Sequence, residues 1–361
     1  MLKHSEMLPA DLDALAPAWI GTLLSQVRPG TIVERVRLLS RTEGTASRCA
    51  LELDYASGCD NGLPARMFLK ALLGAPVAPH SMYRCEYDFY RLMRPELTLE
   101  TPRIYASHLD PQSGRFALLV EDVRANGARM GAATRAHTGE EAASVVESLA
   151  GLHATYWNSS RHMSDLAWIE THLEGGNTDY FRMRGPAMIS EMFEAEPYKA
   201  AILRPDAGIF TTQRLWEALW ALQLVNATDV PTVLHGDPHV ENTYILPGGD
   251  VGLLDWQLMR FGCWAHDVSY ALVTALSIED RRACEKDLLR HYLGTMAAKG
   301  IAMPDWEAAW TRYCQNMIWG VVMWHATPVG LYDEERLSIL LDRCRVAVGD
   351  LGSFAKLGCG L

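Results

Sequence analysis

Apolar positions change their spacing along this chain, and the change divides it. Leu12, Leu15, Trp19, Leu23 and Leu24 recur at helical intervals and predict a helix over 11–27, stopped by Arg28-Pro29-Gly30. Two β-rich runs, 31–39 and 48–55, then flank the polar stretch Ser40-Arg41-Thr42-Glu43-Gly44-Thr45-Ala46-Ser47. A turn at Asp60-Asn61-Gly62 leads to a third run over 65–72, so the three read as a meander. Pro79 opens a helix through Met93, with Tyr83, Tyr87, Phe89, Tyr90 and Leu92 among its packing residues. Runs 104–108 and 115–120 flank Asp110-Pro111-Gln112-Ser113-Gly114, a hairpin signal.

After Glu121-Asp122-Val123 the period becomes helical. Thr138-x-x-Glu141 is a capping box, and Val145, Val146, Leu149, Leu152 and Tyr156 continue an apolar stripe. Helices dominate from there to the end, except over 232–256, where short apolar runs alternate with turn residues. The pattern contains no internal repeat and no low-complexity segment. It predicts an α+β chain in two domains: 1–122, an antiparallel five-stranded sheet with an N-terminal helix and one inserted helix, and 123–361, larger and mainly helical.

Length agrees with two domains, since 361 residues exceed what one hydrophobic core usually supports. With 49% hydrophobic and 21% charged residues, the composition is that of an ordinary globular protein. No apolar run reaches membrane-spanning length, and the first residues lack the basic-then-apolar plan of a signal peptide. The expectation is a cytoplasmic protein. Its eight cysteines form no C-x-x-C pair and read as reduced thiols rather than a disulfide or zinc framework. A net charge of −11 argues against nucleic acid or an anionic membrane as partner; it suits a cationic ligand but is also commonplace.

The chemistry concentrates in Val233-Leu234-His235-Gly236-Asp237-Pro238-His239-Val240-Glu241-Asn242, followed by two short β-like runs around Pro247-Gly248-Gly249-Asp250, then Asp255-Trp256. The Gly-Gly turn places Asn242 and Asp255 at one end of a hairpin, with Asp237 on the loop before it. Oxygen ligands from separate chain positions suit Mg²⁺, which completes its shell with water and phosphate. A further carboxylate beside them can orient a hydroxyl and accept its proton.

This segment resembles the catalytic and metal-binding loops of aminoglycoside phosphotransferase-like, choline kinase-like and ecdysteroid kinase-like enzymes. More distantly it is similar to protein kinases, whose H-R-D-x-x-x-x-N aligns with His235-Gly236-Asp237 and Asn242. The likeness extends over most of the chain: Lys70 in a strand, Glu86 in the next helix, Leu118–Val123 as last strand and hinge, and Leu149-Ala150-Gly151-Leu152-His153-Ala154 as a recurrent helix. It implies a bilobal protein kinase-like fold whose first lobe binds the nucleotide, and a phosphotransferase acting on a small-molecule hydroxyl with ATP and Mg²⁺. By the same resemblance Asp237 is the catalytic aspartate, Asn242 and Asp255 are the metal ligands, and Lys70, held by Glu86, pairs with the phosphates. Glu121 and Val123 in the hinge, Gly44 and Thr45 in the first loop, and His239 complete the implied nucleotide contacts, while His235 and Asp267 support the loop.

The sequence departs from protein kinases in three places. The first loop holds one glycine where they have G-x-G-x-x-G, Trp256 replaces the Phe of D-F-G, and Asp255 runs quickly into the Asp267 helix without an activation segment. Protein substrates are therefore disfavoured. Lys70 lies among Met67, Phe68, Leu69, Ala71 and Leu72, where an unpaired ammonium would be costly, so a partner is expected and Glu86 is the candidate. His235 and His153 read first as hydrogen-bonding core histidines. Trp306, Trp310, Tyr313, Met317 and Trp324 share a helical face that reads first as packing and second as an acceptor pocket. Glu170, Glu174 and Asp179 offer carboxylates to a cationic acceptor, although such charges usually face solvent.

Two other functions compete. A metal-dependent hydrolase would use His235-x-Asp237-x-His239, and a pseudokinase would bind nucleotide to regulate a partner. The acceptor, ATP against GTP, and monomer against homodimer are left open by the sequence.

Overall fold

The computed structural model describes residues 8–206 and 208–359, which fall into two compact units. The first runs to Glu96 and again from Thr101 to Ala128. The second takes Leu97–Glu100 and everything from Arg129 onward.

In the first unit, α1 (Pro17–Ser25) precedes β1 (Val33–Leu38), β2 (Ser47–Tyr55), β3 (Arg66–Ala71), α2 (His80–Asp88), β4 (Ile104–Leu109) and β5 (Phe116–Glu121). The strands form one antiparallel sheet in the order β1-β2-β3-β5-β4. Alternation gives the sheet two faces. Cys49, Leu51, Leu53, Met67, Leu69 and Leu119 form a core with Ile20, Leu23 and Leu24 of α1. Arg48, Ala50, Phe68 and Lys70 occupy the other face.

Two predicted helices are shorter than expected. The first starts at Pro17, not Asp11: Ala16 is extended, as a residue before proline prefers, and Asp11 caps a turn by accepting from the Ala14 N–H at 2.9 Å. The second stops being α-helical at Asp88 and continues as a π turn over Phe89–Met93, whose Phe89, Tyr90 and Met93 are all buried.

The second unit is mainly helical. It contains β6 (Arg129–Met130), α3 (Gly139–Thr155), β7 (Glu170–Thr171), α4 (Gly176–Ala195), α5 (Pro197–Leu203), α6 (Thr212–Asn226) and β8 (Thr232–Leu234). Then come β9 (Thr243–Ile245), β10 (Val251–Leu253), β11 (Arg260–Gly262), α7 (Ala265–Ala275), α8 (Ile278–Ala298), α9 (Trp306–Ala326), α10 (Glu334–Leu351) and α11 (Ser353–Lys356). Thr138 and Glu141 cap α3 reciprocally, as their spacing predicts. Every residue of α7 is buried, which makes this helix the centre of the unit.

Two small sheets frame the loops of interest. One has the order β10-β9-β6, and the other β7-β11-β8. The segment Leu97–Glu100 joins this unit because the Glu100 carbonyl accepts from the Leu253 N–H (3.0 Å) and its carboxylate from the Tyr244 hydroxyl (2.7 Å). All eight cysteines are free thiols. Among the described residues, no helix is long and apolar enough to cross a membrane.

Candidate active site

The loop after β8 is fixed by one carboxylate. Asp267, in the first turn of α7 and fully buried, accepts from the His235 N–H (2.7 Å), the Gly236 N–H (2.9 Å) and His153 Nε2 (3.2 Å). His153 is held in turn by its Nδ1, 2.7 Å from the Tyr292 hydroxyl. Burial raises the Asp267 carboxyl, but the His153 hydrogen bond and the neighbouring histidines outweigh it and hold the group below its usual range. His266 donates from Nε2 to the Gly236 carbonyl at 3.0 Å, and burial lowers its pKa to about 4, so it is neutral there.

Gly236 is obligatory at its position. It sits at φ +83°, and a Cβ there would lie 1.9 Å from the Leu258 carbonyl oxygen. His235 links the loop to the hairpin that follows. Its Nδ1 accepts from the Asp237 N–H (3.2 Å), its Nε2 donates to the Leu254 carbonyl (2.8 Å), and its ring packs 4.5 Å from that of Trp256.

Asp237, Asn242 and Asp255 gather at this junction. Asn242 Nδ2 donates to the Asp237 carbonyl (2.9 Å) and to its carboxylate Oδ2 (3.1 Å). Because the Leu254 N–H donates to the Asn242 carbonyl (2.8 Å), Asn242 and Asp255 sit at the open end of the β9–β10 hairpin. Asp255 takes a left-handed conformation, φ +63°, one of the few non-glycine residues to do so. The Asp237 side chain keeps 23% of its surface exposed. Burial, together with the Asp255 carboxylate, pushes its carboxyl well above the usual range, and Arg260 partly offsets them. Two acidic groups side by side, next to an amide with one oxygen to offer, form a donor set that fits a hard divalent cation.

His239 is buried and turned toward the helices. Its Nδ1 accepts from the Glu241 N–H (3.2 Å), its Nε2 is 3.6 Å from Asp237 Oδ2, and its ring meets Trp324 edge-on at 5.0 Å. His239 thus approaches Asp237, but His235 spends both ring nitrogens on backbone, Nδ1 on the Asp237 N–H and Nε2 on the Leu254 carbonyl, and does not join them as a ligand. That weighs against the hydrolase alternative.

The first unit supplies a separate set. Lys70 on β3 and Glu86 on α2 form an ion pair at 2.6 Å, with side chains 8% and 3% exposed. The Thr45 carbonyl, in the β1–β2 loop with Gly44, accepts from the Tyr83 hydroxyl of α2 at 2.9 Å. Glu121 ends β5 and uses its carboxylate to brace the turn, accepting from the Arg103 N–H (3.2 Å) and Asn126 Nδ2 (2.5 Å). The Val123 carbonyl accepts from the Ala128 N–H at 3.1 Å.

The remaining candidates disperse. Glu170 caps α4 by accepting from the Asn177 N–H at 3.0 Å, Asp179 pairs with Arg182 at 2.8 Å, and Glu174 is exposed. Of the aromatic face on α9, Tyr313 and Met317 are buried in the helical core, while Trp306 and Trp310 stack together, half-buried. Of these, Trp324 reaches the loop after β8, and with it comes Tyr332, whose hydroxyl is 3.5 Å from His239 Nε2. No local sequence signal marked Tyr332. Its proximity depends on the return of the chain after α9.

A family model described as the phosphotransferase enzyme family matches residues 66–309, and the chain belongs to that family. The fold is similar to that of solved phosphotransferases and kinases. A spectinomycin phosphotransferase, solved in complex with ADP and spectinomycin, superposes with a TM-score of 0.55 at 9% identity, covering 94% of this chain and 99% of its own. An ethanolamine kinase of Plasmodium vivax gives 0.52 at 10% identity, over 87% of this chain and 82% of its own. Comparison with curated protein sequences returns no match.

Proposed function

We propose that this phosphotransferase is a cytoplasmic kinase that moves the γ-phosphate of ATP, with Mg²⁺, to a hydroxyl group of a small molecule. The observation that carries the reading is the Asp237–Asn242 pair, held at 3.1 Å on a loop whose backbone Asp267 fixes, beside the left-handed Asp255. Asp237 orients the acceptor hydroxyl and takes its proton. Its amide partner Asn242 and Asp255 would hold the metal, and positive charge there would favour the ionised form of the Asp237 carboxyl. Lys70, positioned by Glu86, pairs with the phosphates, and Glu121 and Val123 present hinge backbone groups to the base. The metal supplies charge neutralisation along the phosphate chain.

A pseudokinase role has no support from the side chains, because each chemical group the transfer needs is present. The test has two stages. ATP with Mg²⁺ should raise the melting temperature by mass action, worth about 2.7 kcal/mol at a hundredfold excess over Kd. Hydrolysis or transfer should then be stimulated by one class in a panel of hydroxylated amines, sugars, antibiotics and steroids. A chain that responds to no purine nucleotide with Mg²⁺ or Mn²⁺ is not a working kinase.

A further inference from the structure

Arg48 is a cation with no assigned work. It is the second residue of β2, and its backbone N–H and carbonyl both bond to Thr42 at 2.8 Å, which pins it at the base of the loop holding Gly44 and Thr45. It is the register partner of Lys70 on the neighbouring strand. Residues directly opposite in an antiparallel pair share a face, so two positive side chains stand side by side on the face away from the α1 core. Like charges so placed are destabilising. Lys70 has its compensation in Glu86. Arg48 does not: among the described residues its side chain carries no ion pair, and its buried Nε has no hydrogen-bond partner. Of the two acids nearest in sequence, Glu52 is paired with Arg37, and Glu43 is engaged with Arg41 Nε (3.0 Å) and Ser47 Oγ (2.6 Å).

The guanidinium is folded over the loop. A Cβ on Gly44 would lie 2.6 Å from Arg48 Nη2, so the single glycine of this loop makes room for the arginine. A planar fork of donors, partly desolvated and without a counter-charge, is built for a multiply charged oxyanion.

We infer that Arg48 binds the phosphate chain of the nucleotide alongside Lys70, supplying from a side chain the donors that a glycine-rich loop would supply from its backbone. This rests on the nucleotide-binding reading above. The test measures, by calorimetry with Mg²⁺, the affinities of a nucleoside and its diphosphate (adenosine and ADP, or guanosine and GDP) for the wild type, Arg48→Ala and Arg48→Lys. The expected result is a loss of about 10–100-fold in diphosphate affinity for Arg48→Ala, the worth of charge-assisted hydrogen bonds. Nucleoside affinity should stay unchanged, and Arg48→Lys should recover part of the loss. Equal diphosphate affinity in Arg48→Ala and wild type overturns the inference and leaves the kinase reading intact. An equal loss for nucleoside and diphosphate also overturns it, by making Arg48 a structural residue of the loop. A wild type that binds neither ligand removes the kinase reading itself.

Discussion

Asn242 grips Asp237 twice, at its carbonyl (2.9 Å) and at its carboxylate (3.1 Å), which ties the loop's acid to the residue just before the hairpin. Asp237→Asn keeps the shape and an oxygen able to accept from Asn242, but loses charge and basicity. Turnover of an identified acceptor should fall by at least about 10²–10⁴-fold, the usual worth of a general base. Nucleotide affinity should hold within a few fold. Steady-state kinetics and calorimetry on one preparation check both. A severe loss of nucleotide affinity would instead make Asp237 a metal ligand.

Asp255 and Asn242 divide differently. Asp255→Ala removes the carboxylate from the Asn242–Asp255 pair proposed to hold the metal, so Mg²⁺-dependent nucleotide binding should weaken most in this variant. The readout is the affinity for ADP with and without Mg²⁺. Wild type should show a gap between the two that closes in Asp255→Ala. A gap of undiminished size would take Asp255 out of the metal site.

The Lys70–Glu86 pair is buried on both sides, so removing one partner strands the other's charge. Lys70→Ala should cost about 3–5 kcal/mol of stability as well as activity. The double variant Lys70→Met/Glu86→Leu has no stranded charge and should recover most of the stability while staying inactive. Urea melts with activity assays separate the two effects. If the double variant remains as unstable as Lys70→Ala, desolvated charge is not the cause.

Burial holds His325 at a pKa of about 4, while its Nε2 donates to the Ile189 carbonyl at 2.9 Å. In the unfolded chain the same ring titrates near its ordinary value of about 6.5. Between those pH values the unfolded state binds the extra proton, so stability is full above about 6.5 and is lost as pH falls towards 4. The loss is about 1.4 kcal/mol per pH unit for one group. His325→Gln can still donate to Ile189 and does not titrate, so its stability should fall less steeply over this window, by about one proton. Denaturant melts from pH 7 to 4.5 check the difference in slope. Parallel curves would mean that His325 is already protonated in the fold.

The fold was legible wherever local chemistry specified it. The Thr138 capping box, the Asp110–Gly114 turn and the alternation through Lys70 each follow from a few neighbouring residues. Strands β6, β7 and β11 were not legible. Each is two or three residues long and exists only through distant pairing, Arg129 with Ile245 and Glu170 with Arg260. The site divides in the same way. Motif spacing placed Asp237, Asn242 and Asp255 near one hairpin, but the network from Asp267 through His153 to Tyr292 joins three helices and has no linear trace. Arg48 has no linear signal either, because its meaning lies in its register with Lys70, which only the paired strands reveal.

Gly236 offers the most direct test of the loop's geometry. The backbone carrying Asp237 rests on the backbone that follows Asp255, and the contact point is the Gly236 α-carbon against the Leu258 carbonyl. A methyl group there meets an oxygen at 1.9 Å and a carbon at 2.7 Å, both main-chain atoms that no rotamer change can move. The left-handed φ of +83° adds strain for any L side chain. Gly236→Ala should therefore destabilise by about 2 kcal/mol or more and pull Asp237 away from Asp255, abolishing transfer. Gly248→Ala is the matched control: it lies in the turn of the same hairpin with nothing within 4 Å of the added carbon, and it should stay within about 0.5 kcal/mol of wild type. Chemical denaturation and turnover are measured on both. If Gly236→Ala keeps wild-type stability and rate, the close approach of the two loops is not required for function.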